Sequence, residues 1–326
     1  MPTDLVFLTG ATGFIGSHVL AELLARDYRV RALVRNQLSA PLDCQIVVGD
    51  LRTPGNLARA LDGCRYVVHC AALYSFSPSQ RRAIHAVNVA GTAGLLEAAR
   101  VAGVERAVVT SSSAALGYSN NGHLLTETDW ASTASGSAYH DSKVAQERAA
   151  FASRVPVTTL LPTTPVGPGD AKPTPTGRLI ADFARGRIFA KPPASGGLNL
   201  VPVEDVARAH VDALTRARTG ERYILGGENL TLDQLWQMLS QLTKRPAPRF
   251  RIAKPVLFSL ALGDEMRCRL NRKATPLIPL EGVRMAQHRV FADSTKAIDE
   301  LGYRTGSVRD ALQRALLWYR LHHYLD

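Results

Sequence analysis

The chain has 326 residues, 46% of them hydrophobic and 21% charged, the balance of a globular protein with one large core and a smaller lobe. No apolar run reaches the ~20 residues that span a bilayer, and Cys44, Cys64, Cys70 and Cys268 show no metal-ligand spacing and read as reduced thiols. The net charge of +11 is uneven: residues 1–165 carry 14 basic and 12 acidic side chains, residues 166–326 carry 25 and 16. The second half therefore attracts anions. It has no nucleic-acid motif, so nucleic acid is not an expected partner. An apolar strand begins almost at once, and a cytoplasmic protein without a leader is expected.

Leu5–Leu8 reads as a strand, followed by a helix over about residues 15–26. Strands at Val30–Val34 and Ile46–Val48 come next, then a short helix at Leu57–Leu61 and a strand at Tyr66–His69. A long helix is predicted over Ile84–Ala102, a fifth strand at Ala107–Val109, a helix over Ala138–Ser153 and a sixth strand at Val157–Leu161. Apolar strands, each trailed by a helical stretch, predict a parallel sheet covered on both faces, a doubly wound α/β domain over 1–165. Prolines and glycines then crowd "PTTPVGPGDAKPTPTG", which predicts a long, helix-free loop. A smaller mixed α/β lobe is expected over 166–326, with segments at about 200–225 returning to the first sheet. A helix from about Ser307 to His323 closes the chain.

Gly10, Gly13 and Gly16 lie where the first strand hands over to the first helix, with Thr12, Phe14 and Ile15 between and beside them. Glycines there let a diphosphate approach the backbone, and the helix N-terminus adds free N–H groups. The spacing GxxGxxG departs from the commoner GxGxxG, and a tight strand–helix connection is the competing reading. At the tip of the second strand, where NAD sites place an acid, "VRALVRN" offers Arg35, which suits the extra phosphate of NADP. NADP(H) is therefore the expected cofactor and NAD the alternative. Asp50 and Leu51 of "GDL" end the third strand; the carboxylate suits an adenine amino group and the leucine its ring, with a helix cap at Asp50 as the rival role.

Tyr139 and Lys143 in "AYHDSKVAQE" fall one helical turn apart, on one face. A phenol with its ordinary pKa near ~10 is a poor proton carrier at neutral pH, and a neighbouring ammonium favours the phenolate. Thr110, Ser111, Ser112 and Ser113 end the fifth strand, on the sheet edge where ligands gather. A serine there donates to a substrate carbonyl while the tyrosine delivers the proton. A plain surface pair is the competing reading of Tyr139 and Lys143.

Together TGxxGFIG, "GDL", the "CAA" of Cys70–Ala72, "VNVAGT" over Val87–Thr92, the hydroxyl run and YxxxK resemble the extended short-chain dehydrogenases/reductases, the NAD-dependent epimerase/dehydratase superfamily. The resemblance covers nearly the whole chain. It implies a Rossmann-type sheet with a C-terminal substrate lobe, and a cofactor resting on the glycine turn and on Ala71 and Ala72. It implies Ser112 as the catalytic hydroxyl with Ser113 its rival, Tyr139 as acid/base, Lys143 as its partner and Asn88 as support. It further implies a homodimer built on the helices Ile84–Ala102 and Ala138–Ser153. "TTPVGPGDAKPTPTGRLI", "GLNLVPVEDVA" and "GERYILGGENLTL" are similar to the hopanoid-associated sugar epimerases. That narrower likeness places Pro162, Thr163 and Thr164 at the nicotinamide end and the loop after Gly167 over a substrate pocket.

Arg35 and the epimerase likeness pull apart, because sugar epimerases of this superfamily mostly keep NAD bound and carry an acid at that strand tip. A reductase that turns NADPH and a carbonyl on a small organic substrate into a hydroxyl is the preferred reading. A nucleotide-sugar epimerase with bound NAD is the second, and a non-catalytic NADP sensor the third. Ser112 is followed by Ser113-Ala114 rather than an Asp-Glu pair, which argues against a dehydratase. The basic runs over Lys244–Lys254 and Arg267–Lys273 meet either a sugar-nucleotide diphosphate or solvent. "PVLFSLALGDEMRCRL" has the composition of a helix lying on a membrane, but packing on the cofactor domain uses the same face and is preferred. The histidines show no ligand spacing, and no metal is expected.

Overall fold

The computed structural model describes residues 4–36, 42–75, 78–119, 122–132, 137–192, 196–270 and 280–326. In the first half, β1 (Leu5–Thr9) leads into α1 (Phe14–Ala25), followed by β2 (Arg29–Val34), β3 (Gln45–Val48), α2 (Leu57–Ala60) and β4 (Tyr66–His69). Next, α3 (Arg81–His85), a π-helical turn over 86–90 and α4 (Gly91–Val101) run on as one helix. The strands β5 (Arg106–Thr110) and β6 (Val157–Pro162) flank α5 (Ala138–Phe151). In β1, β4 and β6 every residue is buried. That is the pattern of strands covered on both faces, where Val, Leu and Phe pack above and below the sheet.

The second half runs β7 (Thr164–Val166), α6 (Pro175–Ala184), β8 (Ala190–Lys191), β9 (Gly197–Pro202), α7 (Val203–Arg216), β10 (Arg222–Leu225), β11 (Glu228–Thr231), α8 (Leu232–Thr243) and β12 (Phe250–Arg251). It ends with α9 (Lys254–Leu270), α10 (Leu280–Met285), β13 (Arg289–Val290), α11 (Thr295–Leu301) and α12 (Val308–Leu321). Seven parallel strands form the main sheet in the order β10-β6-β5-β4-β1-β2-β3. β10 joins it beside β6, and α7 lies against α1. One core layer joins α1, α7 and α11 to the sheet, and a second holds α2 and α4 on its other face. The lobe has its own core, where Phe183 stacks on Trp236 at 5.7 Å between α6 and α8.

The proline-rich stretch differs from the expected helix-free loop. Thr164–Val166 pairs with β9 as a strand. Pro175 opens α6, with the Thr174 hydroxyl accepting from the Gly177 N–H at 3.1 Å. The first helical turn leaves its N–H groups unused, so a proline there loses nothing. The short loop between is tied down by Asp170, which accepts from Thr174 N at 2.9 Å and from the Tyr319 hydroxyl at 3.2 Å.

Strand order reverses between β1 and β4, which leave the middle of the sheet with their following helices on opposite faces. Loops at the carboxyl ends of such a pair diverge and open a crevice.

Candidate active site

Thr9, Gly10, Thr12 and Gly13 form one wall of that crevice, Leu33–Arg35 and Gly49–Arg52 another, and Cys70–Leu73 a third. The enclosed volume is about 410 Å³. Gly10 has φ +77°, and a Cβ there would lie 2.7 Å from Ala71 N. A Cβ on Gly16 would collide with the Gly10 carbonyl oxygen. Gly10 lets its loop touch the one after β4, and Gly16 lets the helix touch that first loop. Gly13, the N-cap of α1, has no capping side chain, so the first N–H groups of the helix stay available to an anion. Phe14 and Ile15 are half-buried in the first turn behind it.

At the far end stand two arginines. Arg35 is exposed. Arg52 reaches Asp50 with Nη2 at 2.5 Å from Oδ2, while its own N–H donates to Oδ1 at 2.8 Å. Arg52, with a smaller contribution from Arg35, holds the Asp50 carboxyl below the usual range. Asp50 therefore fixes an arginine and a turn, and it caps no helix, since α2 starts at Leu57 after Asn56. Leu51 is buried against Gly91 beneath the same wall.

Lys143 is 1% exposed. Its amine donates to Thr110 O at 3.0 Å and to Gln146 Oε1 at 2.9 Å, which leaves one of its three N–H donors. Burial pushes its pKa down to about 8, against a smaller upward pull from Glu147. Tyr139 is half-buried, edge-on to Tyr74 with ring centres 4.4 Å apart. Gln146 Nε2 donates onward to the Thr92 hydroxyl at 3.0 Å, and that hydroxyl donates to Asn88 O at 2.7 Å. His69 Nε2, 2.8 Å from the same oxygen, must then be the donor, which makes Nδ1 the acceptor from the Thr9 hydroxyl at 2.7 Å. The Thr9 oxygen accepts from Ala71 N at 3.2 Å. One buried chain thus runs from Lys143 to the crevice wall. Burial, aided by Lys143, takes His69 down to about 3, so it stays neutral.

Ser112 is half-buried and caps a short turn, its oxygen accepting from Ala114 N at 3.1 Å. Its neighbours Ser111 and Ser113 are buried. Glu147, wholly buried, has Arg222 Nη2 2.8 Å from Oε2, and the Arg222 guanidinium stacks on Trp130 at 3.8 Å. Asn88 accepts from Leu73 N at 2.7 Å and donates to Ser142 Oγ at 3.1 Å, joining the loop after β4 to the Tyr139 turn. The Thr163 hydroxyl is spent on Asn199 Oδ1 at 2.8 Å, and Pro162 is buried beside it. Pro162, Thr163 and Thr164 stand at the β6–β7 junction, outside the crevice wall just described.

The profile of the family described as the NAD dependent epimerase/dehydratase family matches residues 6–226. The chain belongs to that family. It is 37% identical to a Synechocystis protein provisionally named a dihydroflavonol 4-reductase, covering 99% of this chain and 96% of the relative. It is 35% identical to sterol demethylase protein B of Methylococcus capsulatus, covering 96% and 97%. Among solved structures, gox2253 superposes with a TM-score of 0.86 at 38% identity, covering 99% of this chain and all of that one. MoeE5, solved with UDP-glucuronic acid and NAD, has a TM-score of 0.77 at 28% identity, covering 98% and 99%.

The glycine turn and YxxxK are legible in the sequence. His69, Thr92, Gln146 and the Glu147–Arg222 pair are not, because they come from four separate elements. One signal was present: Glu147 follows Lys143 by four residues, so the two share a helix face. Of the basic residues singled out, Arg272 and Lys273 lie outside the described residues. Among the described residues no three His, Cys, Asp or Glu side chains converge on a metal position, and no helix is long and apolar enough to cross a membrane.

Proposed function

We propose that the chain is an NADP(H)-dependent oxidoreductase that interconverts a carbonyl and a hydroxyl on a small organic substrate through Ser112, Tyr139 and Lys143. The observation that carries this reading is the buried Lys143 amine, locked to Thr110 O at the carboxyl end of β5, one turn from Tyr139. When bound, the nicotinamide supplies or accepts the hydride. Tyr139 gives its phenolic proton to the substrate oxygen, and the positive charge of Lys143 stabilises the phenolate left behind. Ser112 makes no hydrogen bond with its own proton among the described residues, so that proton can polarise the carbonyl. Gly10–Gly16 and Ala71–Leu73 fit a diphosphate, and Arg35 and Arg52 fit the further phosphate of NADP.

The flavonoid and sterol names of the two curated relatives favour a ketone on a fused-ring substrate over a sugar nucleotide. The second reading, an epimerase with bound NAD, draws on MoeE5. Purified protein separates them. Exchangeable NADPH consumed only when a carbonyl is added supports the reductase. NAD that survives purification supports the epimerase. NADPH binding without turnover across a broad carbonyl panel would defeat both.

A further inference from the structure

We propose that α9 and the strand before it form a surface that docks on an anionic lipid bilayer. Surface helices ordinarily turn apolar residues inward and charge outward. In α9 apolar residues lie on both sides: Leu257, Phe258 and Ala261 are turned inward, and a second set is left outside. Val256, Leu260, Leu262, Met266 and Leu270 are 50–87% exposed. On a helical projection they lie within one arc of about 160°, at 100° per residue. Asp264 and Glu265 are instead half-buried on the inner side, where Asp264 accepts from Arg267 at 2.7 Å. Among the described residues the element that α9 packs against most is α10 of its own lobe.

Two exposed aromatics lie outside the helix. Phe250, just before α9, is 77% exposed, and Phe189 is 80% exposed. Pairing of Phe250 with Ala190 brings these two segments side by side. Exposed apolar side chains gathered on one helix in this number mark an interaction surface.

Charge chooses the partner. Residues 244–270 carry seven basic and two acidic side chains. Arg249 and Lys254, both exposed, make no ion pair among the described residues. A second copy docking through the same face would bring like charges together, whereas anionic headgroups neutralise them. At 17 residues α9 is short of the ~20 that span a bilayer. It suits a helix resting in the headgroup region on its exposed apolar side chains, with the basic segment over 244–254 beside it to meet phosphate. The inference rests on the surface alone and is independent of the chemistry proposed above.

Flotation of the full chain with vesicles tests it. Phosphatidylcholine vesicles are compared with vesicles containing one-third phosphatidylglycerol, at low and high salt. The expected result is flotation with the anionic vesicles and its decline with salt. Leu260→Glu/Met266→Glu should partition at least about 10-fold less, and Arg249→Glu/Lys254→Glu should lose the preference for phosphatidylglycerol. Each variant is checked for an unchanged melting temperature. Met266→Ser/Leu270→Ser, at two of the most exposed positions, stands in if the first pair misfolds. Failure of the wild type to float would overturn the proposal, as would flotation indifferent to all these changes. So would light scattering that shows a dimer dispersed by Leu260→Glu/Met266→Glu with no vesicle binding.

Discussion

The Lys143 Nζ lies 5.9 Å from the centre of the Tyr139 ring, one helical turn away and locked by Thr110 O and Gln146 Oε1. The amine cannot swing to the surface, so its charge acts on the phenol from a fixed place. Tyr139→Phe should therefore lower kcat about 10²–10⁴-fold, the usual weight of a general acid. KM for the nicotinamide cofactor should stay within about 3-fold, because the phenolic oxygen is assigned to the proton and not to the crevice. Steady-state kinetics on the best carbonyl substrate measures both, and undiminished kcat would remove Tyr139 from the mechanism.

The Glu147 carboxylate sits one turn beyond Lys143 and raises the lysine's pKa against the burial that lowers it to about 8. Glu147→Gln removes that upward pull. The alkaline limb of the kcat profile, governed by loss of the Lys143 proton, should then move to lower pH. Arg222→Gln acts differently, leaving a wholly buried carboxylate without its cation, and should cost about 3–5 kcal/mol of stability. A pH–rate profile for the first variant and chemical denaturation for the second check these outcomes. An unmoved alkaline limb in Glu147→Gln would show that Lys143 does not set it.

Arg35 and Arg52 make one end of the crevice basic, with Asp50 holding Arg52 in place. Arg35→Asp should raise KM for NADPH about 10–100-fold, in line with the loss of a charge-assisted contact, and leave NADH use unchanged or improved. Asp50→Asn should weaken NADPH binding less, since Arg52 keeps its charge and loses only its anchor. Fluorescence titration with both nucleotides reads the two effects. Equal losses for NADPH and NADH would place the arginine on the shared part of the molecule.

The fold was legible because its signals are local. Apolar strands and the glycine turn each announce themselves within a dozen residues, and the helix over 138–151 begins within a residue of its expected start. Pro175 was misread because proline density says where a helix cannot continue, not where one can begin. The wiring behind Lys143 was illegible for a different reason. Thr9, His69, Thr92 and Gln146 are far apart in the chain, and nothing in a lone threonine or histidine marks it as one step of a buried hydrogen-bond chain. The glutamate of the "AYHDSKVAQE" stretch was visible, but its partner Arg222 arrives from β10, 75 residues on. The outer face of α9 was visible as a pattern, and only the fold shows that it remains uncovered.

His69 and His210 make acid the weak side of this fold. Burial lowers His69 to about 3 and His210 to about 4, while both approach ~6.5 in the unfolded chain. Between those values the unfolded state binds more protons than the folded one, so stability is full above pH ~6.5 and is lost as the pH falls toward the folded values. His69→Gln should flatten that loss. It should also lower stability at pH 7 by about 1–3 kcal/mol, because glutamine replaces a donor and an acceptor with poorer geometry between Thr9 and Thr92. Being neutral at working pH, His69 positions the crevice wall and moves no proton, so the pH–rate profile above pH 5 should keep its shape even as KM for the cofactor rises. Urea denaturation across pH 4–8 and a kcat profile of the same variant test the two halves. Disappearance of an acid limb from that profile would mean that the imidazole carries protons in the reaction.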